Sequence, residues 1–188
     1  MAEMNALSRF FVNLSASRRA AQEYRWIRTD VPIPRAAVCL EIGCGNGELA
    51  ARFVEGFQPA RYVATDLDQR QLDGARRTVG RRLRSQPPSS LVLREADVLH
   101  LPFEDTTFDV VLAFVMLHHA SPTHHDFSGV PHALSEIDRV LRPGGLLVYA
   151  EIFHQEPIRR WLTDHGYTLG PIRRRWRHES VVARKSGG

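Results

Sequence analysis

Apolar positions along the chain fall into short dense runs separated by stretches with a three-to-four residue rhythm. "AVCLEIG" (37 to 43), "RYVATDLD" (61 to 68), "LVLREAD" (91 to 97), "FDVVLAFVML" (108 to 117) and "LLVYAEI" (146 to 152) are β-capable, and each is too short and continuous for an amphipathic helix. Between them, "ELAARFVEGF" reads as a helix. Asp68, with Gln71 three residues on, caps a second helix whose stripe is Leu72, Ala75, Val79 and Leu83, and "QPPSS" breaks it. A third helix near 131 to 142 turns Leu134, Ile137, Val140 and Leu141 inward and stops at "RPGG". Upstream, Leu7, Phe10, Phe11, Leu14, Tyr24 and Ile27 repeat at helical spacing, so one or two helices precede Pro32 and Pro34. Downstream, "EPIRRWLTDHG" is a short helix stopped by Gly166, with Trp161 packing it on the sheet. "GPIRRRWRHESVVARK" is a closing hairpin. Strand and helix in alternation predict an α/β, doubly wound, mostly parallel, seven-stranded sheet with an antiparallel C-terminal hairpin. Residues 1–36 then form a helical segment, a candidate substrate cap, and 37–188 one globular unit.

Composition narrows this. A chain of 188 residues with 43% hydrophobic and 24% charged residues suits one globular domain with a sizeable core. Its longest apolar run, Val110 to Leu117, is far short of the ~20 residues of a membrane span. Two cysteines and no signal-peptide layout point to the cytoplasm. Lys185 is the only lysine among the 25 basic residues. The arginines gather at Arg76, Arg77, Arg81, Arg82 and Arg84, and again at Arg173, Arg174, Arg175 and Arg177, as solvated faces or as phosphate contacts.

The chemistry centres on "CLEIGCGNGELA", where Gly43, Gly45 and Gly47 follow the first strand. In a doubly wound sheet, ligands bind beyond the carboxyl ends of the strands, where this loop lies. A P-loop needs a lysine that is absent here. The dinucleotide pattern fits at Gly43 and Gly45 but meets Glu48 in its last place, where a carboxylate would repel pyrophosphate. Glu41 adds a second negative charge. Two carboxylates suit a ligand that carries positive charge, such as the sulfonium and ammonium of S-adenosylmethionine (AdoMet).

"LEIGCGNGELA", "VATDLD", "READVLHLPFEDTTFDVVLAFVMLHH" and "ALSEIDRVLRPGGLLVYAE", in that order, resemble the class I AdoMet-dependent methyltransferases, most closely the small-molecule group that includes the ubiquinone/menaquinone-type enzymes. The resemblance implies a Rossmann-like fold, AdoMet as methyl donor with S-adenosylhomocysteine as product, and a small-molecule acceptor. It implies that Glu41, Gly43, Cys44, Gly45 and Gly47 shape the methionine end of the pocket and that Asp66 receives both ribose hydroxyls. Leu67 then covers an adenine face, Asp97 with the Val98 backbone takes the adenine amino group, and Phe114 brings backbone to the methionyl group. Cys44 reads as a packing residue.

Methyl transfer from a sulfonium is an in-line displacement, for which positioning supplies most of the acceleration and a base helps only acceptors that carry a proton. Of nine histidines, six, His100, His118, His119, His124, His125 and His132, fall between positions 100 and 132, and His118 and His119 are the candidate bases at a strand end. "HHASPTHHD" offers four imidazoles and Asp126 to a metal, but reads as a loop without zinc-site spacing, so no metal is expected. "VMLHHA" stands where amino methyltransferases of adenine or glutamine carry Asn/Asp-Pro-Pro-Tyr, and the cysteines of pyrimidine C5 and arsenite enzymes are absent. With only "AEIFHQEP" after the fifth strand and no lid insertion, acceptor choice falls to the N-terminal helices and the 118 to 131 loop. Tyr24, Trp26, Phe127 and Tyr149 are candidate pocket aromatics. Other readings are an RNA methyltransferase using the Arg173 to Arg177 strand, a non-catalytic AdoMet-binding module, and, at fold level, a dehydrogenase.

Overall fold

A computed structural model of the chain describes residues 6–84, 88–175 and 177–187, with side chains from Ser17 on. At its centre β1 (Val38–Ile42) pairs in parallel with β2 (Arg61–Asp66) on one side and β4 (Phe108–Phe114) on the other. β3 (Leu91–Glu95) extends the sheet beyond β2, and β5 (Leu141–Glu151) extends it beyond β4, again in parallel. β8 (His178–Lys185) then joins β5 antiparallel, and its far edge carries β6 (Tyr167–Leu169) and β7 (Arg173–Arg175). The order is β3-β2-β1-β4-β5-β8-β6, in eight strands. The strand beyond the expected seven is β6, three residues after Gly166 that are too few to show a period.

Residues alternate across the sheet as strand geometry requires. Cys39, Tyr62, Ala64, Val110, Leu112 and Val148 face α1 (Ala6–Asp30), α2 (Glu48–Phe57) and α3 (Gln69–Arg82), which bring Ile27, Phe53 and Leu72 to that layer. Leu40, Ile42, Val63, Val111, Ala113 and Leu147 face the other way, onto Leu134 and Ile137 of α4 (Val130–Val140) and Ile158 and Leu162 of α5 (Gln155–Asp164). Each buried Val, Leu, Ile or Phe among them contributes about 1.5–3 kcal/mol. α1 is a single helix; the side chains of Leu7, Phe10, Phe11 and Leu14 lie outside the described residues. Asp68 does cap α3, through the Arg70 N–H at 2.8 Å.

Two boundaries differ from the pattern. β4 stops at Phe114 instead of running to residue 117, because Val115 takes φ 54°, donates its N–H to the Ala150 carbonyl at 2.7 Å, and turns the chain into a 3-10 segment, Leu117–Ala120. α4 stops at Val140, and Leu141 already opens β5 opposite Phe108. Pairing resumes at Val110 with Leu146, so "RPGG" is a bulge within the strand. Among the described residues no helix is long and apolar enough to cross a membrane.

Candidate active site

The glycine loop leaves β1 in left-handed conformations at three places: Gly43 (φ 69°), Gly45 (φ 52°) and Gly47 (φ 73°). Their surroundings differ. A Cβ on Gly43 would stand 2.9 Å from Met116 Cβ, and one on Gly47, at the start of α2, 2.8 Å from Ala75 Cβ on α3. A Cβ on Gly45 would meet nothing within 4 Å. Two glycines therefore serve packing, and the middle one faces open space. Asp66, at the end of β2, accepts the Gly45 N–H at 2.8 Å on one carboxylate oxygen and the Asp68 N–H at 3.0 Å on the other, so the second strand fixes the shape of the first loop.

Glu41 lies below the loop, 4% exposed, its Oε2 accepting the Tyr62 hydroxyl at 2.8 Å. Burial pushes its carboxyl up to about 8; the Tyr62 bond opposes this, and the charges of Glu23 and Asp66 add to it. Glu23 on α1 is raised to about 7, also by burial, against the pull of Arg19. No ion pair reaches Glu41 among the described residues. Cys44 is buried and desolvation drives its thiol well above the ordinary range, which suits packing and not nucleophilic attack.

Across the opening Leu67 is 64% exposed, a large apolar side chain that nothing in the protein covers. Val98 is buried, and Asp97 before it accepts the Leu99 N–H on Oδ1 at 2.9 Å. The Ala96 N–H reaches the Asp66 carbonyl at 3.2 Å and brings this turn to the end of β2. Phe114 packs edge-on to Trp26 at 6.4 Å. A buried uncompensated acid, an open glycine and an exposed apolar platform fit the ammonium, backbone approach and purine face of AdoMet.

His118 and His119 sit on the 3-10 turn after β4 instead of at the strand end. His118 is 4% exposed, and its Nδ1 is 2.8 Å from Oε2 of Glu151 at the end of β5. Glu151, wholly buried, also accepts the N–H groups of Leu117 at 2.8 Å and Ile152 at 3.1 Å. His119 is exposed on one side and shifted downward, first by desolvation and then by His118 and His124. His124 returns over both, with ring centroids 5.0 Å from His118 and 5.1 Å from His119, stacked on Phe153 at 5.5 Å. His125 instead packs edge-on to Phe153, and Asp126 bonds Ser128. Sequence reasoning passed over Glu151, although an acid closing a buried strand is the same signal that marked Asp66.

A groove between α1 and the closing strands is lined by Arg19, Glu23, Trp26, Arg173, Arg175 and His178, among others. Of the four candidate aromatics only Trp26 reaches it. Tyr149 is wholly buried in the core, Tyr24 packs edge-on to Phe57, and Phe127 lies against His154. Arg173 lies 5.9 Å above the Trp26 ring, Arg175 bonds Gln22 at 3.1 Å, and Arg174 reaches buried Glu179 at 3.4 Å, so the arginine strand docks onto its own protein. In the other cluster Arg76 pairs with Asp73 and Arg82 with Glu55. Trp161 stacks on His165 at 3.7 Å while its body packs against the core.

Residues 40–149 match the family described as the methyltransferase domain, and the chain belongs to it, within the class I AdoMet-dependent methyltransferases. Among individual proteins, it is 34% identical over 134 residues to the phthiotriol/phenolphthiotriol dimycocerosates methyltransferase of Mycobacterium tuberculosis, covering 71% of this chain and 44% of that one. It is 31% identical over 161 residues to the fatty-acid O-methyltransferase of Mycolicibacterium smegmatis, covering 86% of this chain and 50% of the other. The chain thus spans about half the length of these relatives or less. In structure it is similar to the N-methyltransferase NodS of Bradyrhizobium japonicum, solved in complex with S-adenosylhomocysteine, with a TM-score of 0.69 at 18% identity over 89% of this chain and 86% of that one.

Proposed function

We propose that this protein transfers a methyl group from AdoMet to a small-molecule acceptor, at oxygen in preference to nitrogen or carbon. The observation that carries the reading is the constellation of Glu41, Gly45 and Asp66, an acid without a cation beside open backbone and a carboxylate at a strand end. When bound, AdoMet supplies a methyl group activated by positive charge on its sulfur. Glu41, with Glu23 behind it, offsets the ammonium of the ligand; Asp66 accepts the ribose hydroxyls on its remaining lone pairs; Leu67 and Val98 flank the purine; Asp97 accepts from its amino group.

On the acceptor side, Glu151 holds the Nδ1–H of His118, which leaves Nε2 free to take a proton from an acceptor hydroxyl, while the carboxylate stabilises the imidazolium that forms. His119 shares that face. α1, within the 1–36 segment, caps the acceptor groove through Glu23 and Trp26. The oxygen preference rests on the relatives, one of which is a fatty-acid O-methyltransferase, and on this pair, since only a proton-bearing acceptor needs it. Engagement of Arg173, Arg174 and Arg175 within the protein favours a small acceptor over RNA. A cytoplasmic location accords with two free, buried cysteines.

Calorimetric titration with S-adenosylhomocysteine, with NADH and the Asp66→Ala variant as controls, tests the cofactor. Micromolar binding lost in the variant is expected; binding of NADH instead would refute the assignment. Labelled methyl donor with lipid extracts then tests transfer, and binding without transfer to any acceptor would indicate a regulatory module.

A further inference from the structure

Three imidazoles have been brought together at the carboxyl ends of β4 and β5 by a loop built for that closure. The chain leaves the 3-10 turn at Ala120, runs through the histidine-rich segment and returns at Gly129, whose N–H bonds Ser121 Oγ at 3.0 Å. A Cβ on Gly129 would fall 2.0 Å from the Ala120 carbonyl oxygen, so the loop closes to a distance only glycine permits. Its closure lays His124 back over His118 and His119. One nitrogen from each lies within 4.8 Å of the others, and the first is buried while the other two are exposed. Among the described residues, neither His119 nor His124 has a hydrogen-bonding partner for its ring. A shared cation would give the ring nitrogens of His119 and His124 a common partner with His118.

We propose that His118, His119 and His124 form a three-imidazole site for a zinc-type divalent ion. The sequence alone argued against a metal because the spacing looked loose and the segment read as a loop, but the close approach at Gly129 folds that loop so that the three rings meet. Zn–N bonds of about 2.0–2.1 Å place tetrahedral ligands about 3.3 Å apart, a gap that small side-chain rotations of the exposed His119 and His124 close. Glu151 makes His118 a ready ligand: accepting the Nδ1–H fixes the tautomer that leaves the Nε2 lone pair outward, the arrangement in which a carboxylate orients a metal-bound imidazole. An all-nitrogen set selects zinc, cobalt or nickel over magnesium and calcium, which need oxygen. Three protein ligands leave a fourth position for water or an acceptor oxygen. With the ion bound, His118 Nε2 would be a ligand and could not also take the acceptor proton, so metal binding and the base role proposed above exclude one another at His118. Metal binding itself does not depend on that reading.

The test uses untagged, chelator-treated protein titrated with Zn²⁺ in a calorimeter and with Co²⁺ followed in the visible spectrum, with S-adenosylhomocysteine binding and circular dichroism measured alongside. One ion per chain and intense tetrahedral Co²⁺ bands are expected, with both lost in His124→Ala. Glu151→Gln keeps an acceptor for the Leu117 N–H but presents an amide N–H to Nδ1, reversing the His118 tautomer; a loss of about 10–100-fold in metal affinity is expected. Folded wild-type protein that binds no ion, or a His124→Ala variant that binds as tightly as wild type, would overturn the site. S-adenosylhomocysteine binding without metal binding overturns this inference alone, whereas metal binding without S-adenosylhomocysteine binding supports it and overturns the cofactor assignment.

Discussion

A carboxyl raised to about 8 is mostly protonated at neutral pH, yet an ammonium beside it favours the ionised form. Ligand binding should therefore expel a proton from Glu41, and S-adenosylhomocysteine affinity should rise from pH 6.5 towards ~8 by up to about tenfold per pH unit. Calorimetry in two buffers of different ionisation enthalpy measures the proton released. For the ligand-free protein the sign is opposite to the usual carboxylate case. The folded state holds the proton over the range between the ordinary value of 4.5 and about 8, so the contribution of Glu41 to stability declines as pH rises through that window. Tyr62→Phe removes the one hydrogen bond that favours the anion and should move the affinity rise to higher pH. The glycines separate by the same kind of argument. Gly47→Ala should destabilise by about 1–3 kcal/mol or more in urea unfolding, because its Cβ meets α3, while Gly45→Ala, with φ strain alone of about 1 kcal/mol, should stay folded and lose ligand affinity instead. The loop and Asp66 were legible in sequence because glycine spacing and a terminal acid are local signals. Glu151 carried the same terminal-acid signal as Asp66, but its pairing with His118 and the approach of His124 were not legible, since both arise only through tertiary contact.

Elements with a full stripe were readable to within a residue or two. α4 is the clearest, and Leu134→Ala should cost about 2–5 kcal/mol in denaturant unfolding with little change in ligand affinity. Where reading failed, the local chain gave no sign. Val115, a β-branched residue in an apolar run, adopts the left-handed conformation that ends β4, and the hydrogen bond to the Ala150 carbonyl holds it there. β6 is too short for a period and exists because β8 offers it an edge. The closing strands depend on a buried charge pair: Arg159 of α5 meets Glu179, which is 2% exposed. Arg159→Ala should leave Glu179 with only the exposed and longer contact to Arg174, at a cost of about 3 kcal/mol read by urea unfolding, and Arg159→Lys should recover part of it.

For the whole molecule, alternation of strands and helices announced a doubly wound sheet, whereas the strand order came only with the structure, because periodicity says which residues are buried and not which neighbours bury them. A ligand held, as proposed, by loops from β1, β2 and β3 would link one half of the sheet, and S-adenosylhomocysteine at a hundred times its dissociation constant should add about 2.7 kcal/mol, a rise of roughly 5–11 °C in Tm, with no shift from NADH. The place of β8 between β5 and β6 has a consequence for biosynthesis. A chain emerging from the ribosome makes β1 to β5 first, and the outer edge of β5, with Leu146 to Ala150 fully buried in the finished fold, stays without a partner until His178 to Lys185 has been translated. A stop codon shortly before His178 would then release most of the sheet and all the proposed cofactor residues with a sticky open edge, and the product is expected in inclusion bodies or as a chaperone client instead of as a weakened but folded protein.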